Sequence, residues 1–105
     1  MLSYTEAFLP AKTGASIAPS NSLERGLIRE VQETLSTQIW EDQQRVEAET
    51  ADAKMAGYLE LAEGAPLLLL TRLMLTADRN EFAILYRSHY ASERYYYSLK
   101  LPRPA

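Results

Sequence analysis

A chain of 105 residues with 47% apolar and 24% charged residues has the balance of one folded domain, with room for a single core. It contains no cysteine, which excludes a disulfide framework, thiolate metal sites and cysteine nucleophiles together. A formal charge of −3 and one histidine, His89, argue against nucleic-acid binding by this chain alone and against a multi-histidine metal site.

In chain order, Tyr4, Ala7, Phe8 and Leu9 predict a short strand that leaves its sheet at Pro10. Residues 11–21, with Gly14, Pro19 and small polar side chains, predict a loop. From Ser22 the period changes. Leu23, Leu27, Val31 and Leu35 recur every four residues with Ile28 on the same face, which predicts a helix over 22–35 capped by Asn21 or Ser22. Thr37 to Thr50 lacks a helical stripe and predicts a long, polar, half-exposed strand, although its composition is also compatible with helix. Asp52 caps a predicted helix over Ala53 to Leu59, and Glu63-Gly64 turns the chain. Pro66 to Leu75 is apolar at nearly every position, as in a strand covered on both faces. Asp78-Arg79-Asn80 predicts a hairpin turn, Phe82 to His89 the returning strand, and Arg94 to Leu101 a last strand stopped by Pro102. The order predicts an α+β domain, an antiparallel sheet with two helices on one side.

Five of the seven tyrosines fall between Tyr86 and Tyr97, interleaved with Arg87, His89, Arg94 and Lys100. On a strand, Tyr86, Ser88 and Tyr90 point one way and Arg87 and His89 the other, so one face of this segment is a candidate lining for a small polar ligand. The bland alternative is that tyrosines favour strands and simply pack the sheet. His89 reads as a hydrogen-bonding residue rather than a catalyst. Glu41, Asp42, Glu47 and Glu49 read as a solvated strand edge rather than paired carboxylates. Charge is uneven: residues 1–52 carry a net −5 and residues 53–105 a net +2.

Two stretches carry a family resemblance. Leu59-Glu60-Leu61-Ala62-Glu63-Gly64-Ala65-Pro66-Leu67-Leu68 has the form L-x-L-x-x-G-x-P-L-L. Ser88-His89-Tyr90-Ala91-Ser92-Glu93-Arg94-Tyr95-Tyr96-Tyr97 is similar to S-x-x-Y-R-G-D-R-Y-x-F, with the acid, arginine and tyrosine kept. Upstream, Phe8-Leu9-Pro10, Ser22-Leu23 and Gln44-Arg45-Val46-Glu47-Ala48 follow in the matching order. Together they resemble the C-terminal portion of the UTRA domain, the effector-binding domain of GntR-type bacterial transcription regulators of the HutC/FarR group.

The resemblance implies a chorismate lyase-like (UTRA) fold over residues 1–105, incomplete at its N-terminus. It implies a sensor rather than an enzyme, with no cofactor or metal. The expected partners are a small-molecule effector (an anionic metabolite, sugar phosphate, amino acid or fatty acid) and a second copy in a homodimer, with DNA met only through a winged helix-turn-helix absent from this chain. The first residues have no basic n-region, and the longest apolar run, Pro66 to Leu70, is far below the roughly 20 residues that span a bilayer. A cytoplasmic protein without membrane contact is expected.

Carried over position by position, the resemblance implies ligand contacts at Ser22 on the helix start, at Tyr90, and at an acid on the first strand near Glu6, placed to within one residue. Tyr86, Arg94 and Tyr95 complete the candidate ligand-binding set. A second acid expected six residues before Tyr90 is replaced by Ile84, which favours a more apolar effector. Two other readings stand beside this one: a small enzyme of chorismate lyase-like fold using Glu6, Arg72 and Arg94, and a dimerisation module whose pocket is filled by Tyr86 and Tyr90.

Overall fold

The structure, a computed structural model, describes residues 3–15 and 24–93 together with Tyr96, Ser98 and Lys100. Its elements are β1 (Ser3–Phe8), α1 (Ala11–Ala15), α2 (Glu24–Leu35), β2 (Ile39–Thr50), α3 (Ala53–Leu59), β3 (Pro66–Thr76) and β4 (Phe82–Ala91). All four strands join one antiparallel sheet in the order β1-β4-β3-β2. The long hydrophobic strand β3 and the tyrosine-bearing β4 are central, and the polar β2 is an edge, which explains why the first two are apolar and the third is not.

Capping fixes the helix ends. Ser36 takes a left-handed conformation (φ 52°) after α2, and the Thr37 amide closes on the Gln32 carbonyl at 3.2 Å. Gln32 Oε1 then accepts from the Ile39 amide at 2.9 Å and hands the chain to β2. Asp52 accepts from the Met55 amide at 2.8 Å to start α3, and left-handed Glu60 ends it, with the Leu61 amide on the Ala56 carbonyl at 2.9 Å. Gly64, at φ 87°, completes a turn from Ala62 to Ala65 in a conformation that other residues adopt only under strain. The Ala51 amide meets the Ala65 carbonyl and the Gly64 amide the Ala51 carbonyl, so β2, α3 and β3 close on one another at one end of the sheet.

Register assigns the two faces. Residues paired across antiparallel strands share a face, so Tyr4, Glu6, Arg87, His89, Leu67 and Leu69 lie on one side, here the histidine face. Thr5, Tyr86, Ser88, Tyr90, Arg72 and Ile84 lie on the other, the tyrosine face. On the tyrosine face, Leu27 and Val31 of α2 pack with Met74, Ala83, Ile84 and Tyr86 into the main core cluster. On the histidine face, Ala56 and Leu59 of α3 pack with Ala51 and Leu67, with Tyr4 and Leu61 against them.

The α+β class and antiparallel sheet are as expected, but the two longer helices cover opposite faces rather than one side. Amphipathic spacing shows that a helix buries one stripe; it does not show which sheet face receives it. Residues 11–15 form α1 where a loop was expected. Pro10 supplies the first carbonyl, accepting from the Gly14 amide at 2.9 Å, and Thr13 is buried. The neighbour of β4 on its outer side is β1. The strand expected over Arg94 to Leu101 falls for the most part outside the described residues, and the described Tyr96, Ser98 and Lys100 are not in a strand. Among the described residues no helix is long and apolar enough to cross a membrane.

Candidate functional site

Alternation along β4 divides the candidate residues between two environments. On the tyrosine face, Tyr86 is 2% exposed and belongs to the core beneath α2. Arg72, its cross-strand neighbour, lies with its guanidinium carbon 5.6 Å from the Tyr86 ring centroid and donates to Glu41 Oε1 through Nε and Nη2 at 2.9 and 2.7 Å. Beyond Tyr86 come Ser88, buried and 2.9 Å from the Thr5 hydroxyl, and half-buried Tyr90, with Leu68 and Leu70 beside them on β3. This is a row of hydroxyl groups on an apolar floor, suited to orienting a small polar molecule.

Burial raises the Tyr86 phenol above its ordinary value of 10.0, and the nearby Arg72 guanidinium opposes the shift without cancelling it. A phenol raised in the folded state favours folding fully below the unfolded value. That contribution falls as pH climbs above about 10 through the folded value. Tyr86→Phe is therefore expected to flatten the alkaline limb of a stability-versus-pH curve, measured by urea unfolding between about pH 9 and 11. In an ultraviolet titration of the folded protein, Tyr86 should ionise above the ordinary tyrosine value.

The histidine face holds the better-formed concavity, a cleft of about 160 Å³ between β1, β4 and α3. Tyr4, Glu6, Arg87 and His89 form its floor; Asp52, Lys54, Met55 and Tyr58 form the wall. The Tyr4 and Tyr58 rings stack at 4.7 Å with 22° between planes, and the Lys54 ammonium stands 5.8 Å from the Tyr58 centroid. His89 is 6% exposed. The Glu49 carboxylate, an acceptor only, takes a hydrogen bond from Nδ1 at 2.5 Å, which leaves Nε2 facing Glu6 Oε1 at 3.8 Å. A wider depression of about 410 Å³, lined by Arg29, Glu33 and Ser36 among others, lies where α2 meets β2; it is open to solvent and brings no such set of charges together.

The candidate set is thus split. Tyr86 and Tyr90 share a face, as the alternation of β4 predicted. Glu6 does not join them: it lies on the opposite face beside Arg87 and His89, and its neighbour Thr5 takes the position next to Ser88. Tyr86 is enclosed in the core rather than lining open space. Ser22, Arg94 and Tyr95 lie outside the described residues. The constellation of Glu6 with Arg72 does not assemble either, because the two side chains project from opposite faces. His89 is a hydrogen-bonded residue, as expected. Of the four acids read as a solvated edge, Glu49 and Glu41 are instead engaged with His89 and Arg72.

The cleft wall was not legible in sequence. Tyr4, Asp52, Lys54 and Tyr58 are far apart in the chain from Arg87 and His89, and only strand pairing and the α3 docking bring them together. Opposite charges at Glu6 and Arg87 were visible, but nothing marked them as cross-strand neighbours.

Comparison with known proteins gives a consistent picture. A GntR-family transcriptional regulator from Enterococcus faecalis V583 superposes with a TM-score of 0.81 at 18% identity, over 95% of this chain and 70% of that one. The effector domain of PhnF from Mycobacterium smegmatis gives 0.78 at 19%, over 97% and 62%. The ligand-binding domain of a GntR-family regulator from Bordetella bronchiseptica gives 0.78 at 19%, over 96% and 63%. The chain thus spans less than two-thirds of the latter two solved chains. No curated protein sequence matches it. The family model of the UTRA domain matches residues 1–96, and on that match the chain belongs to the UTRA domain family.

Proposed function

We propose that this UTRA domain is the effector-sensing and dimer-forming part of a cytoplasmic GntR-type transcription regulator of the HutC/FarR group, and that it is not an enzyme. The observation that carries the reading is the family match over nearly the whole chain, joined to a hydroxyl row on the sheet face next to α2. Tyr90, Ser88 and Thr5 hold the effector in this reading, with Ser22, Arg94 and Tyr95 contributing from the motif positions. DNA is read by a domain outside these 105 residues. Effector binding shifts the balance between two arrangements of the dimer and so the spacing of the DNA-reading heads.

The dimer contact is assigned to a sheet edge. β2 runs twelve residues along one edge, with Trp40 55% and Val46 43% exposed, and its outer amides and carbonyls have no neighbouring strand among the described residues.

Melting of the full chain with glucosamine 6-phosphate, L-histidine and palmitate separates the effector classes. A ligand at about a hundredfold excess over its Kd stabilises by about 2.7 kcal/mol, a rise of roughly 10 °C or more for a domain this size. Tyr90→Phe should reduce that rise. No rise with any class, together with a monomer in light scattering, would sink the reading.

A further inference from the structure

We propose that the cleft on the histidine face is a second binding site, one for a small apolar α-amino acid. Its ammonium bridges Glu6 and His89, and its carboxylate lies on Arg87. The inference stands apart from the regulator reading, because the cleft and the hydroxyl row occupy opposite sides of the sheet.

Glu6 and Arg87 are directly paired across β1 and β4, where opposite charges ordinarily meet and stabilise the sheet. Here they do not. Arg87 makes no hydrogen bond or ion pair among the described residues, and Glu6 has only the 3.8 Å approach to His89 Nε2. Two opposite charges held side by side on a sheet, both half-buried and both lining one cleft, match a molecule that carries both signs on neighbouring atoms. A simple anion would meet Arg87 and Lys54 but also Glu6 and Asp52. A simple amine would meet the reverse conflict.

The 3.8 Å gap between Glu6 Oε1 and His89 Nε2 is too long for a hydrogen bond, and it suits a group with several donors set between them. Glu49 fixes the ring by accepting from Nδ1, and in that tautomer Nε2 is the acceptor that faces the gap. An ammonium offers a hydrogen to each side. The guanidinium fork of Arg87 suits the carboxylate. Tyr4, Tyr58 and Met55 supply an apolar wall for the side chain, and about 160 Å³ limits the ligand to the size of an ordinary amino acid.

The test titrates the full chain with L-leucine, followed by side-chain NMR of Tyr4, Tyr58 and His89 and by calorimetry. The controls are isopentylamine and 4-methylpentanoate, each leucine lacking one charged group. The expected result is saturable binding of leucine with shifts at those three rings, and binding of each control weaker by about tenfold or more. Glu6→Gln and Arg87→Met should each weaken leucine by roughly ten- to a hundredfold while the melting temperature of the free protein holds. Equal binding of 4-methylpentanoate, unchanged affinity in Arg87→Met, or no saturation by about 10 mM would overturn the proposal. So would shifts confined to Tyr90 and Ser88, which would instead assign the amino acid to the effector face.

Discussion

Ile84→Glu is expected to cost about 4 kcal/mol or more and to leave the domain largely unfolded at neutral pH, read by circular dichroism in a urea titration. Ile84 is fully buried among Met74, Ala83, Tyr86, Leu27 and Val31, with no polar group of the main core cluster but the Tyr86 phenol nearby. A carboxylate placed there loses its water and gains no cationic partner in that cluster, so it either stays neutral at a large cost or draws solvent into the core. For a domain whose whole stability is on the order of 5–15 kcal/mol, that is a decisive fraction. Ile84→Val, which removes one methylene, should cost only about 1 kcal/mol. The pair also tests chemistry. The family pattern places an acid at this position, and a glutamate tolerated at wild-type stability would mean that the side chain reaches a wet cavity next to Tyr86. A glutamate that unfolds the protein means the effector face ends short of Ile84, and any effector bound there must do without a hydrogen bond from this position.

The elements were legible because their signals are local. The four-residue recurrence from Leu27 to Leu35 needs no partner to be read, nor does the Asp52 cap, whose carboxylate finds the Met55 amide three residues on. The alternation of Tyr86, Ser88 and Tyr90 against Arg87 and His89 held for the same reason, since the side-chain period of a strand is two wherever the strand sits. What was not legible depends on register. A shift of one residue on β1 decides whether Glu6 or Thr5 stands beside Ser88, and no signal in the first ten residues fixes that shift. The sides taken by α2 and α3 are likewise decided by packing. Leu67 and Leu69 face one way and Leu68 and Leu70 the other in a strand that is apolar throughout, so the sequence of β3 offers both helices an equally greasy surface. The partners of His89 were hidden by distance along the chain: Glu49 lies forty residues away on a strand that is not adjacent to β4. Tyrosine clustering pointed to the right strand and overstated one member, because Tyr86 fills the core whereas Tyr90 is half-open.

Leu59→Ala should cost about 3 kcal/mol, and the damage should be concentrated in one helix. α3 has seven residues, too few to hold helical structure alone, and its stability comes from docking on the histidine face. Its buried contacts are Ala56 and Leu59, and a methyl group contributes little, so Leu59, with no exposed surface, is the main anchor against Ala51 and Leu67. Truncation leaves a cavity at the closed end of the sheet that the Schellman turn at Glu60 and the tight turn at Gly64 cannot collapse into without breaking their own hydrogen bonds. Hydrogen exchange is therefore expected to lose protection across 53–59 before β3 and β4 do. A cost below about 1 kcal/mol, with the α3 amides still protected, would show that the cap and turns hold the helix without its anchor. Tyr58 and Lys54 ride on α3, so when it loosens the Tyr4–Tyr58 stack separates and the amino-acid cleft loses its wall. The hydroxyl row of Thr5, Ser88 and Tyr90 is held by β1, β4 and their pairing and should persist in the same variant. One substitution then distinguishes the two faces: leucine binding disappears with the α3 protection, while a ligand of the tyrosine face still raises the melting temperature of what remains folded.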